Sequence, residues 1–257
     1  GVGLSHHFWD RFRHAWAERC GTPAVAPDLL GCGSTRTSLR RLTPHAWAEA
    51  LLPELLNLNQ PAVVVVQGGS LPIALELLKL APQSCRALVM VGPPGWRVMG
   101  EAANPWLQKL LWWGLFQGLT GLLFWRWARR EAFLRSFSIK ELFANAEGVD
   151  QPWLDQLRQD SADASTRWAV FAFLAGFWRA DYHLELRSLQ LPVLALVGES
   201  ASGISRSGRR DSSAQKLADY GAAINGLSAR VIPGRNVLPY ESSAACVAAI
   251  AEWIRTI

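Results

Sequence analysis

The chain has 257 residues, half of them apolar, with 26 basic against 21 acidic side chains and a formal charge of +5. That length can bury a full core, and the apolar half excludes a disordered chain. Its basic residues, 22 arginines against four lysines, are spread along the chain rather than gathered into a stripe, which excludes a nucleic-acid-binding face.

In chain order, residues 1–5 read as a glycine-rich loop with no signal peptide before it, and residues 8–20 as an amphipathic helix with Phe8, Phe12, Ala15 and Trp16 on one side. Residues 23–30, PAVAPDLL, predict a short strand, closed by a turn at Gly31, Cys32, Gly33 and Ser34. Thr43 caps a helix over residues 44–56 with Pro44 in its first turn. The stretch 63–82, VVVVQGGSLPIALELLKLAP, organises the rest. Its four valines read as a strand buried on both faces, residues 73–80 carry helical apolar spacing, and Gly68 and Gly69 permit an abrupt reversal between them. A strand over residues 87–91 ends at Gly92, Pro93 and Pro94.

Residues 97–187 break this rhythm with helical, tryptophan-rich sequence, and residues 191–197 restore it as a strand. A glycine- and serine-rich loop over 198–211, a helix over 211–225, a strand over 229–232, a loop over 233–239 and a helix over 242–257 follow. The alternation predicts an α/β fold with a mostly parallel sheet and helices on both faces. It divides into core residues 1–96, a helical cap 97–187 and core residues 188–257.

Cys20, Cys32, Cys85 and Cys246 form no CxxC pair and read as free thiols of a reducing, cytoplasmic setting, so neither metal nor cofactor is expected. Nine of the thirteen tryptophans lie between Trp96 and Trp178. Residues 110–124, LLWWGLFQGLTGLLF, are fifteen without a charge, short of the about twenty needed to span a bilayer. Trp112, Trp113, Trp125 and Trp127, flanked by Lys109, Arg126, Arg129 and Arg130, suit either a packed lid or peripheral contact with a membrane interface.

The order and spacing of HHFWDRF after a glycine loop, APDLLGCGST, the glycine turn, ALVMVGPP, LPVLALVGE and VIPGRNVLP are similar to the α/β-hydrolase family with a helical cap, over nearly the whole chain. PDLLGCG, VQGG, GPPGW and IPGRNVLPYES resemble a cyanobacterial and plastid branch of it. The resemblance implies a nucleophile on the strand-to-helix elbow, then an acid, then a histidine. Taking Gly68, Gly69, Ser70, Leu71 and Pro72 as the elbow sets Ser70 at the nucleophile but Pro72 where a glycine belongs. Sliding the frame so that Ala74, Leu75, Glu76, Leu77 and Pro82 fall on the family's helix pattern sets Gly68 there, with no gap through the helix, and this frame is preferred. The acid position is then Ala201 and the histidine position Val237.

With no titratable group at the three positions, the resemblance implies a catalytically degenerate protein. It binds an apolar or lipid-like ligand near Gly1, Gly3, Gln67, Gly69, Arg235 and Asn236, or serves as a membrane-linked scaffold. The alternative is an esterase- or lipase-like serine hydrolase using Ser70, with His6 or His7 approaching it and amides near Gly1–Gly3 and Gly69 as oxyanion donors. The plain reading of Ser70 is a helix N-cap ahead of Pro72, and that of Asp28 a bond to nearby turn amides. In this fold a further strand, preceding the glycine loop, lies between the 23–30 and 63–66 strands. Either the sequence is a fragment lacking N-terminal strands, or the 23–30 strand pairs directly with 63–66.

Overall fold

The computed structural model describes residues 1–203 and 211–257; part of the predicted 198–211 loop lies outside them. In chain order the helices are α1 (Asp10–Cys20), α2 (Pro44–Leu56), α3 (Leu71–Leu80), α4 (Trp96–Met99), α5 (Pro105–Lys109), α6 (Gly118–Ala128) and α7 (Glu131–Phe137). Then come α8 (Gln151–Asp160), α9 (Arg167–Leu174), α10 (His183–Arg187), α11 (Ser213–Ala223), α12 (Leu238–Glu241) and α13 (Ser243–Ile254). The strands are β1 (Ala62–Gln67), β2 (Cys85–Val91), β3 (Val193–Gly198) and β4 (Ser228–Ile232), and they pair in that order, all parallel.

Period-two alternation sorts the side chains of the central strands to opposite faces. Leu88, Met90, Val193 and Ala195 pack with α2 and α3 through Trp47, Leu71 and Leu75. Ala87, Val89, Leu194 and Leu196 pack with α1 and α13 through Phe12, Cys246 and Ile250. Helices thus cover both faces, as a parallel sheet requires. The predicted cap of α2 forms, with the Thr43 hydroxyl accepting from Ala46 N at 3.3 Å.

Residues 23–30 are not a strand, and they do not pair with β1. Pro23 and Pro27 each lack a backbone donor, and no neighbouring edge reaches them. Among the described residues β1 is therefore an edge strand. Val63, Val64 and Val65 are only half-buried, against the expectation of burial on both faces. A cavity of ≈ 680 Å³ runs along β1, walled by Phe12, Val25, Val63, Val65, Ile73 and Ile250. No residue of 97–187 lines it.

The 8–20 helix opens as a 3₁₀ turn, His6–Trp9, that passes into α1. The uncharged 110–124 stretch is not one helix. A π-helical segment, Leu110–Phe116, ends where Gln117 turns extended (φ −78°, ψ 148°), and α6 begins at Gly118. Phe116 stacks on Phe171 with centroids 4.5 Å apart, and Trp112 meets Phe177 edge-on at 5.1 Å, which fastens this segment to α9 and the turn after it. Among the described residues no helix is long and apolar enough to cross a membrane.

Candidate functional site

β1 delivers the chain to a sharp turn. Gly68 follows the last strand residue with φ +57°, a conformation that other L-residues rarely adopt, and the 3₁₀ turn Gly68–Ser70 feeds α3. A Cβ on Gly68 would meet nothing nearer than Gly92 O at 3.9 Å, so the position has room for a side chain and carries none. Gly69 differs: a Cβ there would fall 2.5 Å from the Phe173 ring, which fills the space above it.

Ser70 is buried and stands at the N-cap position of α3, but its hydroxyl makes no cap bond, contrary to the N-cap reading. Its backbone is already helical (φ −85°, ψ −1°), whereas capping needs extended geometry. Nor does an imidazole serve it. His6 Nδ1 lies 3.0 Å from Asp28, His7 Nδ1 lies 2.7 Å from Asp10, and His14 and His45 pair with glutamates. His183 lies with Nε2 2.9 Å from Trp96 O and its ring stacked on that indole. His6 and His7 each pair through Nδ1 with an aspartate, and among the described residues no imidazole nitrogen is hydrogen-bonded to the Ser70 hydroxyl.

The loop after β4 comes up beside the turn. Gln67 Nε2 donates to Asn236 O at 2.7 Å, and Asn236 Nδ2 donates to Ser202 O at 3.0 Å and Glu141 O at 2.6 Å. Arg235 Nη2 donates to the Ser202 hydroxyl at 2.7 Å, and Arg235 N to Glu241 Oε2 at 2.8 Å. Glu241 Oε1 also accepts from Ala144 N at 2.6 Å. Gly68, Ala201 and Val237 thus each adjoin a member of one network, at the carboxyl end of the sheet. Val237 itself is buried in a cluster with Phe8, Phe143, Trp153 and Tyr240, and Ala201 N closes a turn onto Gly198 O.

Of the residues expected to bind ligand, Gln67, Arg235 and Asn236 each donate into this network. Gly1 lies against Gln67, where an added Cβ would be 3.2 Å from Oε1. Gly3 N donates to Cys32 Sγ at 3.2 Å, and burial pushes that thiol up to about 11. Asp28 bonds turn amides as expected, from His6 and Ser34. Burial opposes its ionisation, yet these bonds outweigh it and hold its carboxyl below the usual range. Two contributors escaped the sequence reading. Asp160, which accepts from Ser5 N at 2.8 Å, and Ser202 sit in no motif, and only distant donors give them a role.

This turn, this sheet and the helices on both its faces define a class. The chain belongs to the alpha/beta hydrolase family, whose model matches residues 1–249. Among solved structures it is similar to a thermophilic esterase from Thermogutta terrifontis, at 21% identity and TM-score 0.74, covering 100% of this chain and 87% of that one. It is also similar to a bromoperoxidase from Bacillus anthracis (16%, TM-score 0.73, 99% and 89% covered). A hydrolase from Pseudomonas aeruginosa gives 16%, TM-score 0.72, with 99% and 87% covered. At these identities the likeness concerns the fold. No curated protein matches the chain.

Proposed function

We propose that this chain is a non-hydrolytic member of the family that binds an apolar, lipid-like molecule. The observation that carries the reading is the turn itself: Gly68 occupies it at φ +57° with space for a side chain and no nucleophile, and no imidazole among the described residues is hydrogen-bonded to Ser70. Without a base to take its proton a serine hydroxyl is a weak nucleophile. Val237, in the place the resemblance gives to histidine, is sealed among aromatic rings. On this reading Gly68, Ala201 and Val237 are the vacated catalytic positions, in a chain whose motif wording belongs with the cyanobacterial and plastid branch.

The ligand lies along β1 rather than under the cap. That cavity, at ≈ 680 Å³, is within the range of about 300–1,000 Å³ usual for small-molecule sites, and its walls are apolar. Titration with a fluorescent fatty-acid analogue gives saturable binding that Val65→Asp weakens; no saturable binding removes the ligand from the proposal.

The serine-hydrolase reading has one observation of its own. The Ser70 hydroxyl is not spent on capping, and Ser70 lines the same cavity. A fluorophosphonate probe separates the two readings. Labelling that disappears in Ser70→Ala establishes the hydrolase and ends the non-hydrolytic reading; the expected result is no labelling.

A further inference from the structure

A helix that packs one apolar face on a core ordinarily turns a polar face to water. The segment from α5 to α6 does not. Its inward side carries Trp112, Phe116, Gly121 and Trp125, all buried. Its outward side is apolar as well. Trp106, Leu110 and Trp113 recur at i, i+4 and i+7 and are exposed, Trp106 by 70% and Trp113 by 62%. Leu119, Leu123 and Trp127 recur at i, i+4 and i+8 on α6, with Leu119 exposed by 69%. Exposed apolar rows of this kind mark a contact that is made elsewhere.

The charges say with what. Residues 102–130 contain no Asp or Glu but hold Lys109, Arg126, Arg129 and Arg130. The carboxylates at either end are already engaged: Glu101 with Arg97 and Arg179, and Glu131 with Arg158. A further exposed cation, Arg41, sits over the Trp113 ring at 5.4 Å. Indoles and leucines bordered by unneutralised lysine and arginine match the boundary between acyl chains and anionic headgroups, where indoles settle and each basic residue contributes about 1 kcal/mol. Among the described residues no helix is long and apolar enough to cross a bilayer, and a segment of this kind suits lying in the interface plane.

We propose that this face, from Trp106 to Arg130, docks the protein on an anionic lipid bilayer, with Trp106, Trp113, Leu119, Leu123 and Trp127 entering the interface. Trp112 and Trp125, at 1% and 6% exposure, are core residues, so two of the four tryptophans expected to touch a membrane do not.

Vesicle flotation tests this with the full chain. With vesicles of phosphatidylcholine mixed with phosphatidylglycerol the protein floats at low salt, less so as salt rises, and far less with phosphatidylcholine alone. Arg126→Gln and Arg130→Gln each lower partitioning by about fivefold. Trp113→Ser with Leu119→Ser abolishes flotation while the circular dichroism spectrum and thermal midpoint stay those of the parent, because both side chains point away from the core. Three results overturn the proposal: no flotation at low salt with the anionic mixture, flotation indifferent to both sets of substitutions, or a soluble dimer that Trp113→Ser dissociates in protein that never floats. The last would assign the face to a second copy of the chain.

Discussion

Gln67 donates through its side-chain amide to the carbonyl of Asn236 at 2.7 Å, and so ties the residue before the Gly68 turn to the loop that follows β4. From there the Asn236 amide reaches Ser202 and Glu141, so one side chain holds the β3 loop, the β4 loop and the segment before α8 together. Asn236→Ala removes both of these donations, a loss of about 1–3 kcal/mol. Urea denaturation is expected to show a lower midpoint with an unchanged slope, and hydrogen exchange to quicken at residues 138–142.

The two glycines of the turn resist substitution for different reasons. Gly68→Ser fits sterically but forces a side chain into φ +57°, which costs of order 1–3 kcal/mol. Gly69→Ala has no such φ and instead drives into Phe173. Combining Gly69→Ala with Phe173→Leu is expected to destabilise less than the sum of the two changes, while Gly68→Ser with Phe173→Leu is additive. Chemical denaturation of the three single and two double variants reads both outcomes.

Much of this architecture was legible. The strands β2 and β3, the helices that follow β1 and β4, and the Thr43 cap come from local periodicity and from Gly and Pro punctuation. Pairing is not local, and that is where the reading failed. Residues 23–30 have a strand's composition but no partner, and the four valines look the same whether a strand is central or on an edge. The tryptophans failed for a related reason. Trp112 and Trp113 are neighbours in sequence and face opposite ways, and which one is buried depends on Phe177 and Trp168, far along the chain. At the site, the preferred frame set Gly68 at the turn, and the positive φ falls there; the pairing of His6 with Asp28 lay beyond what spacing reveals.

Acid stability carries a sign fixed by Asp28 and Asp150. Burial raises each pKa, but hydrogen bonds, from Ser34 and His6 to Asp28 and from Arg11, Trp153 and Tyr240 to Asp150, lower it further, so each ends below the ordinary 3.8. A depressed carboxylate adds stability that is complete above its unfolded value and is lost as pH falls through its folded one. Asp28→Asn is therefore expected to lower stability at neutral pH and to flatten its decline on the acid side of 3.8, measured as urea midpoints against pH.

The thiols divide by burial. Cys32, Cys85 and Cys246 are buried, and burial pushes Cys32 to about 11 and Cys246 to about 12, while Cys20 is partly exposed. Only the thiolate reacts with disulfide reagents. Native protein at neutral pH is expected to titrate one thiol promptly, and denatured protein all four; mass spectrometry places the first at Cys20.

The unpaired side of β1 bears on how the protein behaves when concentrated. Among the described residues the outer amides and carbonyls of β1 lack ladder partners, and such an edge is a template on which another extended chain can pair, with four successive β-branched residues well suited to stacking. Arg13 and Arg86, exposed and lining the same opening, place basic side chains of the kind that oppose such pairing beside this edge, Arg13 paired with Asp10 at 3.3 Å. Neutralising them would leave such an edge open to pairing with a second extended chain.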